Sequence, residues 1–307
     1  MTAKCPVTIV TGFLGSGKTT LLARMLAEPA MHNTAVLVNE FGKTGLDHHL
    51  LRQVNEQTVL LGNGCACCTL REDLVKTLLD LFALGERGAL SRLERVVIET
   101  SGLADPAPIL YTIFTHPVLQ HHFAIDRVIT TVDAINGRLH LGRHPESLQQ
   151  VAAADTLIVT KSDLASPQEV ETLTAYLHML NPSAHMTQSI FGEIDRIAQF
   201  SLSAVMHPDG ENAARFATVS SPSQPGARNV EDHLAETHSC TLTMHESLDW
   251  RAFGLWLSML LHARGENILR VKGLLDVGEN GPVSLNGVQH IIHPPDHLER
   301  WPDDDHS

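Results

Sequence analysis

The sequence predicts an α/β protein in which a larger domain with a mainly parallel sheet precedes a small α+β domain. Over the first two thirds of the chain, short apolar, β-branched segments alternate with segments long enough for crossover helices, which is typical of a parallel sheet. A stretch rich in Pro, Ser and Gly then interrupts the hydrophobic periodicity. We therefore predict a larger domain at residues 1–205, a linker at 206–236 and the small domain at 237–307.

Local hydrophobic patterns predict the individual elements. In the larger domain, strands are expected at residues 7–11, 35–38, 95–99, 127–132 and 156–160, and helices at 19–28, 72–84 and 168–180. In the small domain, the patterns predict a strand at 240–244, a helix at 247–262, and β-like runs at 269–277 and 288–293.

Composition argues against two classes of function. Lys and Arg number 22 against 35 Asp and Glu, a formal net charge of −13 that repels a nucleic-acid backbone. No apolar run approaches the ~18 residues that a membrane-spanning helix needs. The chain begins without the charged region, apolar core and small-residue cleavage site of a secretory signal. We therefore expect a cytoplasmic protein that binds neither nucleic acid nor membrane.

The strongest motif lies between the first predicted strand and the first predicted helix. Residues 12–19 match the phosphate-binding loop, in which a glycine and four further residues precede Gly-Lys-Ser/Thr. Glycines let backbone N–H groups wrap around the phosphates, Lys18 reaches the β and γ phosphates, and the Thr19 hydroxyl ligates Mg²⁺. We therefore predict a P-loop NTPase domain, with nucleotide contacts from Gly12, Gly15, Ser16, Gly17, Lys18, Thr19 and Thr20.

A second motif selects the base. Thr160, Lys161 and Asp163 follow the strand residues 156–159 and resemble the Asn/Thr-Lys-x-Asp element of GTPases. The N1–H and N2–H₂ donors of guanine suit a carboxylate such as Asp163, whereas adenine has no such donor pair on that edge. Lys161 would pack its stem across the ring. The motif therefore favours GTP and GDP as ligands.

An acidic residue ends another predicted strand. The strand at 95–99 delivers Glu99 to the carboxyl edge of the sheet, where ligands bind in open α/β folds. Glu99 is suited either to hold Mg²⁺ through water or to orient the attacking water. Gly102 has no side chain, so its N–H could approach the γ phosphate closely. Lys18, Glu99 and Gly102 are therefore the predicted catalytic residues.

Cys65, Cys67 and Cys68 form the most unusual cluster in the chain. Their spacing is poor for disulfides, but thiolates are soft ligands that suit Zn²⁺ or Cu(I). Three local thiolates leave a fourth position open, which suits the transfer of a metal better than its storage. The alternative is that the cysteines are small buried hydrophobic residues with a structural role.

Together these motifs resemble the CobW-type GTPases, which belong with the metallochaperone GTPases that also include the urease and hydrogenase accessory proteins. The resemblance rests on residues 12–20, 38–42, 64–68, 99–102 and 160–163, and it extends into the small domain at 268–273, 287–290 and 301–304. It implies a P-loop GTPase with a CobW-like C-terminal domain, whose nucleotide state controls delivery of a metal, often Zn²⁺ or cobalt, to a client protein.

The resemblance also bears on the metal ligands. Glu40 lies in a segment that looks like the family's switch region and is a candidate zinc ligand beside the thiolates. The family often has an acid where Lys43 stands, a departure that leaves the thiolates as the better candidates. Thr19 and Glu99 are the expected ligands of Mg²⁺.

We therefore predict a GTP-hydrolysing metallochaperone that binds Zn²⁺, or Co²⁺, at the three cysteines and passes it to a client metalloprotein. The sequence is compatible with an oligomer. The main alternative is a regulatory P-loop GTPase that acts by binding partners and has structural cysteines. A further alternative is a non-hydrolysing nucleotide-binding scaffold or a small-molecule kinase. Release of phosphate from GTP alone, without an acceptor, would argue against that alternative.

Overall fold

The computed structural model describes residues 4–38, 59–62, 70–86, 93–194, 240–279 and 281–301. The linker predicted at 206–236 lies outside these residues, so the domain boundaries remain predictions. No helix in the described ranges combines the length and the hydropathy that crossing a bilayer requires.

The larger domain is built on one sheet of eight described strands. These are β1 (Cys5–Gly12), β2 (Thr34–Val38), β3 (Val59–Gly62), β4 (Arg95–Glu99), β5 (Phe123–Asp133), β6 (Thr156–Thr160), β7 (His185–Ile190) and β8 (Glu193–Ile194). Their order across the sheet is β3-β2-β4-β1-β5-β6-β7-β8. All neighbouring pairs are parallel except β7 and β8, which form an antiparallel hairpin. The mainly parallel sheet predicted from the sequence is confirmed.

Helices cover both faces of this sheet. They are α1 (Lys18–Leu26), α2 (Leu70–Glu86), α3 (Ala107–Thr115), α4 (Leu119–His122), α5 (Gly137–Arg143), α6 (Pro145–Ala153) and α7 (Pro167–Leu180). Val97 packs with Leu22 of α1, whereas its neighbour Val96 packs with Leu81 of α2. Because successive side chains of a strand point to opposite faces and helices cover both, every residue of β4 is buried and its three central residues are apolar.

Side-chain chemistry at the start of α7 sets where that helix begins. The Ser166 hydroxyl accepts a hydrogen bond from the Glu169 N–H, and the Glu169 carboxylate accepts one from the Ser166 N–H. Pro167 occupies the first helical position, where a missing N–H costs nothing. The predicted start at residue 168 was therefore within one residue of the observed one.

The small domain consists of one helix and a four-stranded antiparallel sheet. These elements are α8 (Trp250–Arg264), β9 (Arg270–Leu275), β10 (Val283–Val288), β11 (Ile291–Ile292) and β12 (Asp296–His297). In this sheet β10 pairs with each of the other three strands. The helix begins after Asp249, whose Oδ1 accepts hydrogen bonds from the N–H groups of Arg251 and Ala252, both at 2.9 Å.

One prediction for the small domain was wrong, and a second was right only in part. Residues 240–244 do not form a strand, and Leu242 and Met244 are exposed. A β-forming pattern gives a strand only where a partner edge is available. The β-like run predicted at 288–293 is β-structure, but it is divided between two strands: β10 ends at Val288, the chain reverses at Gln289 with a φ of 53°, and the short β11 follows.

The small domain docks on the larger one through a shared apolar cluster. Val288 and Ile291 pack with Leu110 of α3 and Ala153 of α6. All four are at most 5% exposed. This contact brings the β10–β11 turn against α3, so the two domains form a continuous apolar interface at that point.

Hydrogen bonds and an ion pair flank that cluster. Arg270 donates from Nη1 to the carbonyl of Ala153 at 2.5 Å and from Nη2 to Oδ1 of Asp155 at 2.6 Å. Gln289 donates from Nε2 to Oδ2 of Asp105 at 2.9 Å. Arg270 thereby satisfies carbonyl groups at the C-terminal end of α6, where a cation is favourable.

Asp155 should contribute a pH-dependent part of the stability. Burial acts to raise the pKa of Asp155, but Arg270 and the N–H of Val128 outweigh it and hold the pKa below its ordinary value. A depressed folded pKa gives stability that is present above about pH 4 and is lost as the pH falls through the folded pKa. We expect Asp155→Asn to destabilise the protein by on the order of 1–3 kcal/mol at pH 7, and the difference to shrink below about pH 4.

The measurement is thermal unfolding of both proteins between pH 3 and pH 8. The matched control is Glu193→Gln, which removes an exposed partner of Arg24 at 3.4 Å, where both side chains are more than half exposed. Such a pair contributes little. Equal losses in the two variants, or a difference that does not change with pH, would contradict this account.

Candidate functional site

The carboxyl ends of the parallel strands form one edge of the sheet, and the predicted site residues lie along it. Glu99 ends β4 beside β1, Gly12 lies beside Thr131 of β5, and Asp133 lies beside Thr160 of β6. In the strand order, the connection from β1 to β2 runs in one direction across the sheet, and the connection from β4 to β5 runs in the opposite direction. Ligands of open α/β sheets bind where the strand order reverses in this way.

The segment between β1 and α1 is anchored to the neighbouring strand β5. Gly12 has a φ of 139°, and a Cβ atom there would overlap the carbonyl oxygen and Oγ1 of Thr131, so only glycine fits. Ser16 is 1% exposed, and its hydroxyl shares a hydrogen bond with Oγ1 of Thr131 at 2.7 Å. The loop is therefore held against β5 where β1 ends.

Lys18 is buried at the start of α1. Its Nζ donates to the carbonyl groups of Gly12 at 3.0 Å and Phe13 at 3.1 Å, so the side chain folds back across the loop that precedes it. A buried ammonium group directly behind a loop and a helix N-terminus creates a positive region that suits an anion. The loop and Lys18 can therefore bind phosphate groups.

Thr19 and Glu99 form a polar pair at the same edge. The Thr19 hydroxyl donates to Oε1 of Glu99 at 2.7 Å, and Glu99 is 1% exposed at the end of β4. A hydroxyl and a carboxylate supply the hard oxygen ligands that Mg²⁺ prefers. The donor set therefore fits a magnesium ion.

The loop after β4 lies directly against the phosphate loop. A Cβ atom on Gly102 would stand 2.6 Å from the backbone nitrogen of Leu14, closer than any side chain tolerates. At the base of the same loop, the Thr100 hydroxyl donates to the Thr11 hydroxyl at 2.7 Å. Gly102 is therefore required for the two loops to touch.

Residues at the end of β6 hold the other side of the phosphate loop. The Thr160 hydroxyl donates to the carbonyl of Ser16 at 2.7 Å. Lys161 has a φ of 57°, and its Nζ donates to the carbonyl of Gly15 at 2.8 Å and to Oδ2 of Asp133 at 2.6 Å. The predicted base motif is therefore also a structural support of the phosphate loop.

Asp133 stays ionised beside Lys161. Burial acts to raise the pKa of Asp133, but the hydrogen bond from Lys161 and those from the N–H groups of Ile135 and Asn136 lower it below its ordinary value. The Asp133 side chain is only 4% exposed, whereas that of Lys161 is 39% exposed. The ion pair therefore orients Lys161 across the edge of the loop while leaving part of its stem accessible.

Asp163 lies on an accessible surface beside this pair. It sits in the 3₁₀ turn Ser162–Leu164, is exposed, and contacts β7 through that turn. The β7–β8 hairpin packs against α1, because a Cβ atom on Gly192 would stand 2.8 Å from the carbonyl oxygen of Thr20. Thr20 itself is exposed on α1. The carboxylate of Asp163 is therefore accessible to a ligand.

Two family models match the chain. The model described as CobW/HypB/UreG, nucleotide-binding domain, matches residues 6–188, and the model described as cobalamin synthesis protein cobW C-terminal domain matches residues 237–307. The chain belongs to the CobW/HypB/UreG family. This membership confirms the resemblance to CobW-type GTPases, and the structure confirms the P-loop fold.

Relatives of this family member are similar over most of its length. It is 32% identical over 286 residues to the zinc chaperone YjiA of Escherichia coli (strain K12), covering 93% of this chain and 86% of the relative. It is 28% identical over 317 residues to the zinc-regulated GTPase metalloprotein activator 1 of Schizosaccharomyces pombe, covering 94% and 76%. The crystal structure of Zn(II)-bound YjiA GTPase from E. coli matches with a TM-score of 0.71 at 26% identity, over 98% of this chain and 91% of that one.

Most of the nucleotide residues predicted for this CobW-family chain meet at one edge of its sheet. The phosphate-loop residues, Glu99, Gly102, Thr160 and Lys161 lie together there, and Asp163 lies on the adjoining surface. The predicted zinc ligands Cys65, Cys67, Cys68 and Glu40 lie outside the described residues.

The described residues contain no group of three His, Cys, Asp or Glu side chains that could hold a metal. Cys5 and Cys240 are free thiols. Burial raises the pKa of the Cys5 thiol to about 12, so Cys5 remains protonated at neutral pH and does not supply a thiolate.

Sequence reasoning missed three residues of this site: Thr131, Asp133 and Gln150. Asp133 directly follows the predicted strand at 127–132, so its place at the carboxyl edge was available as a signal. Gln150 lies within α6, and its bonds to the loop after β4 carry no local sequence signal.

Gly102→Ala should weaken nucleotide binding. The new Cβ atom would meet backbone of the phosphate loop at Leu14 rather than a flexible side chain, so the loop itself must shift. We expect the dissociation constant for a guanine nucleotide to rise by roughly tenfold or more, which corresponds to ~1.4 kcal/mol.

Gly254→Ala on α8 is the matched control, because nothing lies within 4 Å of a Cβ atom there. It should leave nucleotide affinity unchanged and raise helix stability by about 0.5–1 kcal/mol. Titration with a fluorescent guanine nucleotide compares the two variants. Wild-type affinity in Gly102→Ala would mean that the contact with Leu14 is not required.

Proposed function

We propose that this protein is a GTP-hydrolysing zinc chaperone, which binds Zn²⁺, or Co²⁺, at Cys65, Cys67 and Cys68 and delivers it to a client protein under control of its nucleotide state. One observation carries the proposal: β2 and β3, which lead into the segments with Glu40 and the cysteines, end at the same sheet edge as the phosphate loop.

GTP hydrolysis is the enzymatic activity of this family member, in line with its P-loop fold and with relatives that are named GTPases. In the proposed site, Lys18 would contact the phosphates, and Thr19 and Glu99 would hold Mg²⁺, which would neutralise phosphate charge. Glu99 alternatively orients the attacking water. Gly102 supplies an N–H group for the γ phosphate, which its contact with Leu14 supports.

Guanine selection is assigned to Asp163 and Lys161. The exposed carboxylate of Asp163 can accept both guanine donors, and the ion pair with Asp133 orients the stem of Lys161 beside the loop. Thr160 positions this motif by its bond to the carbonyl of Ser16. Base recognition and phosphate binding are thereby joined through one short segment.

Sheet register limits how far the cysteines can lie from the nucleotide. Val38 pairs with both Gly62 and Glu99, so Gly62 is two strands, or about 10 Å, from Glu99. Cys65 follows Gly62 by three residues, and a chain of that length spans at most ~11 Å. Cys65 is therefore tethered within about 20 Å of Glu99, and Cys68, which follows Gly62 by six residues, within about 30 Å. Sites this far apart can be energetically coupled.

The metal itself is proposed from relatives. YjiA is named a zinc chaperone, and a crystal structure of YjiA GTPase is Zn(II)-bound. A triple mutant of YjiA with alanine in place of one glutamate and two cysteines is also Zn(II)-bound. Zinc remaining on a cysteine variant of this protein must therefore be judged by stoichiometry and ligand type rather than by presence alone.

The metal site should respond to the nucleotide. We expect the affinity for Zn²⁺ measured with a non-hydrolysable GTP analogue to differ by at least ~5-fold from that measured with GDP, the lower end of typical coupling between sites. Equal affinities would reject the coupling. Titration by competition with a chromogenic chelator gives both constants on the full chain.

Co²⁺ absorption identifies the ligands in the same protein. Substituting Cys65, Cys67 and Cys68 together by alanine should abolish the thiolate-to-Co²⁺ band and reduce Zn²⁺ stoichiometry. Cys240→Ala removes an exposed thiol elsewhere and should change neither. A regulatory GTPase with structural cysteines would instead keep its metal content after the triple substitution.

Asp163→Asn should change base preference. An asparagine amide cannot accept the paired guanine donors but can donate to the C2 carbonyl of xanthine. We expect GTP affinity to fall roughly 10- to 100-fold and XTP affinity to rise, as measured by competition against labelled GDP. Glu171→Gln removes an exposed carboxylate on α7 and should leave both affinities unchanged. Unaltered GTP affinity in Asp163→Asn would show that the carboxylate does not read the base.

Phosphate release separates the remaining alternatives. A scaffold does not hydrolyse GTP, and a small-molecule kinase needs an acceptor, so release of phosphate from GTP and water alone argues against both. The client protein, the oligomeric state and the cytoplasmic location remain predictions of the sequence.

A further inference from the structure

Gln150 is a buried amide that holds the loop after β4. It lies on α6, is 1% exposed, and donates from Nε2 to the carbonyl groups of Gly102 at 3.1 Å and Ala104 at 3.0 Å. Two carbonyl acceptors at one atom require the NH₂ end of the amide, so these contacts determine its orientation. One side chain thus binds both ends of the segment that begins at Gly102.

We infer that Gln150 is a positioning residue for GTP hydrolysis: it fixes the Gly102–Ala104 segment against the phosphate loop before the γ phosphate is engaged. The inference rests on the proposed function, in which Gly102 contacts that phosphate. Gln150 itself acts only through the loop. On the opposite side, the segment is in contact with Leu14 through Gly102. Gln150 and Leu14 together thus form a clamp on the Gly102–Ala104 segment.

Gln150 is itself held in place on two sides. Its backbone carbonyl accepts a hydrogen bond from the Thr130 hydroxyl of β5 at 2.8 Å. Its side chain lines a cavity of about 10 Å³ together with Phe13, Ser16 and Thr131 of the phosphate-loop region. Gln150 therefore connects β5, through its backbone carbonyl, with the loop after β4, through its side chain, and it lies beside the phosphate loop.

The loop has a compact shape that this clamp completes. The N–H of Ala104 donates to the carbonyl of Ser101 at 3.0 Å, which makes a turn around Gly102. That turn leaves the carbonyl groups of Gly102 and Ala104 directed at α6, where Gln150 satisfies both. An apolar side chain of the same volume in place of Gln150 would remove the hydrogen bonds that these two carbonyl groups accept from it.

Preorganisation gives the clamp its kinetic consequence. A backbone N–H group that is already oriented stabilises developing charge without reorganisation at the moment of reaction. Loosening its segment should reduce interactions made with the γ phosphate and in the transition state, while contacts common to GTP and GDP persist. The expected signature is a lower kcat with unchanged affinity for GDP.

Asn181, which follows α7, provides a matched control because it bonds carbonyl groups at the C-terminal end of α6. It is 3% exposed, and its Nδ2 donates to the carbonyl groups of Val151, Ala152 and Ala154 at 2.8, 3.3 and 2.9 Å. It is therefore also a buried amide that satisfies carbonyl groups, but it has no hydrogen bond to the loop after β4. Asn181→Leu tests what the loss of such bonds does to stability alone.

The experiment compares Gln150→Met, Gln150→Glu and Asn181→Leu with wild type on the full chain. We expect Gln150→Met to lower kcat about 10- to 100-fold, with the Kd for GDP within about twofold and a lower ratio of affinities for a non-hydrolysable GTP analogue over GDP. Asn181→Leu should lower Tm by a similar amount and leave both the kcat and the affinity ratio near wild type.

Gln150→Glu adds a pH readout that a purely structural role would not produce. An ionised carboxylate repels the two carbonyl groups, whereas its protonated form can donate one hydrogen bond to them. The kcat of this variant relative to wild type should therefore rise as the pH is lowered towards 6. This arm also remains informative if Gln150→Met folds poorly.

Two results would overturn the inference: a kcat within twofold of wild type in a folded Gln150→Met, or an equal loss of kcat in Asn181→Leu at matched Tm. A wild-type protein that releases no phosphate from GTP would instead refute the proposed function. In that case the ratio of affinities for the GTP analogue and GDP would still decide whether Gln150 shapes the loop.

Discussion

A phosphate loop can turn its N–H groups towards an anion only when its carbonyl groups find donors elsewhere, and the rest of this site depends on that constraint. Thr160 and Lys161 donate to the carbonyl groups of Ser16 and Gly15. Both donors come from the end of β6, two strands away from β1. The segment that carries the base motif therefore also shapes the loop, and Asp133 orients the lysine that does so.

The loop after β4 is contacted by three separate parts of the fold. The phosphate loop contacts it at Gly102, and Gln150 holds it from α6. Six residues after Glu99, Asp105 accepts a hydrogen bond from Gln289 of the small domain and caps the start of α3 through Ala107. The small domain thus contacts the loop that directly follows the acid of the candidate site.

Net charge and local charge have different consequences in this protein. A net charge of −13 disfavours an extended polyanion as partner, yet a triphosphate is a compact anion that meets only its immediate surroundings. Lys18 lies buried at the N-terminus of α1, where the helix dipole adds to its charge. A locally positive pocket is therefore compatible with an acidic surface.

Features that contiguous residues encode were predictable from the sequence. These are the phosphate loop, the apolar strands with the helices between them, the base motif, and the family to which they point. A loop that must wrap an anion and a strand buried on both faces leave local patterns, because each constraint acts on neighbouring residues.

Tertiary structure alone decided which distant groups meet. Gln150 bonds a loop 48 residues away, and Asp133 bonds Lys161 across 28 residues, so neither contact has a local pattern. The strand expected at 240–244 did not form for the same reason, since its pattern was present but none of the strands that the structure describes pairs with it. A hydrogen bond between chain segments depends on where the fold brings them, and a linear pattern does not contain that position.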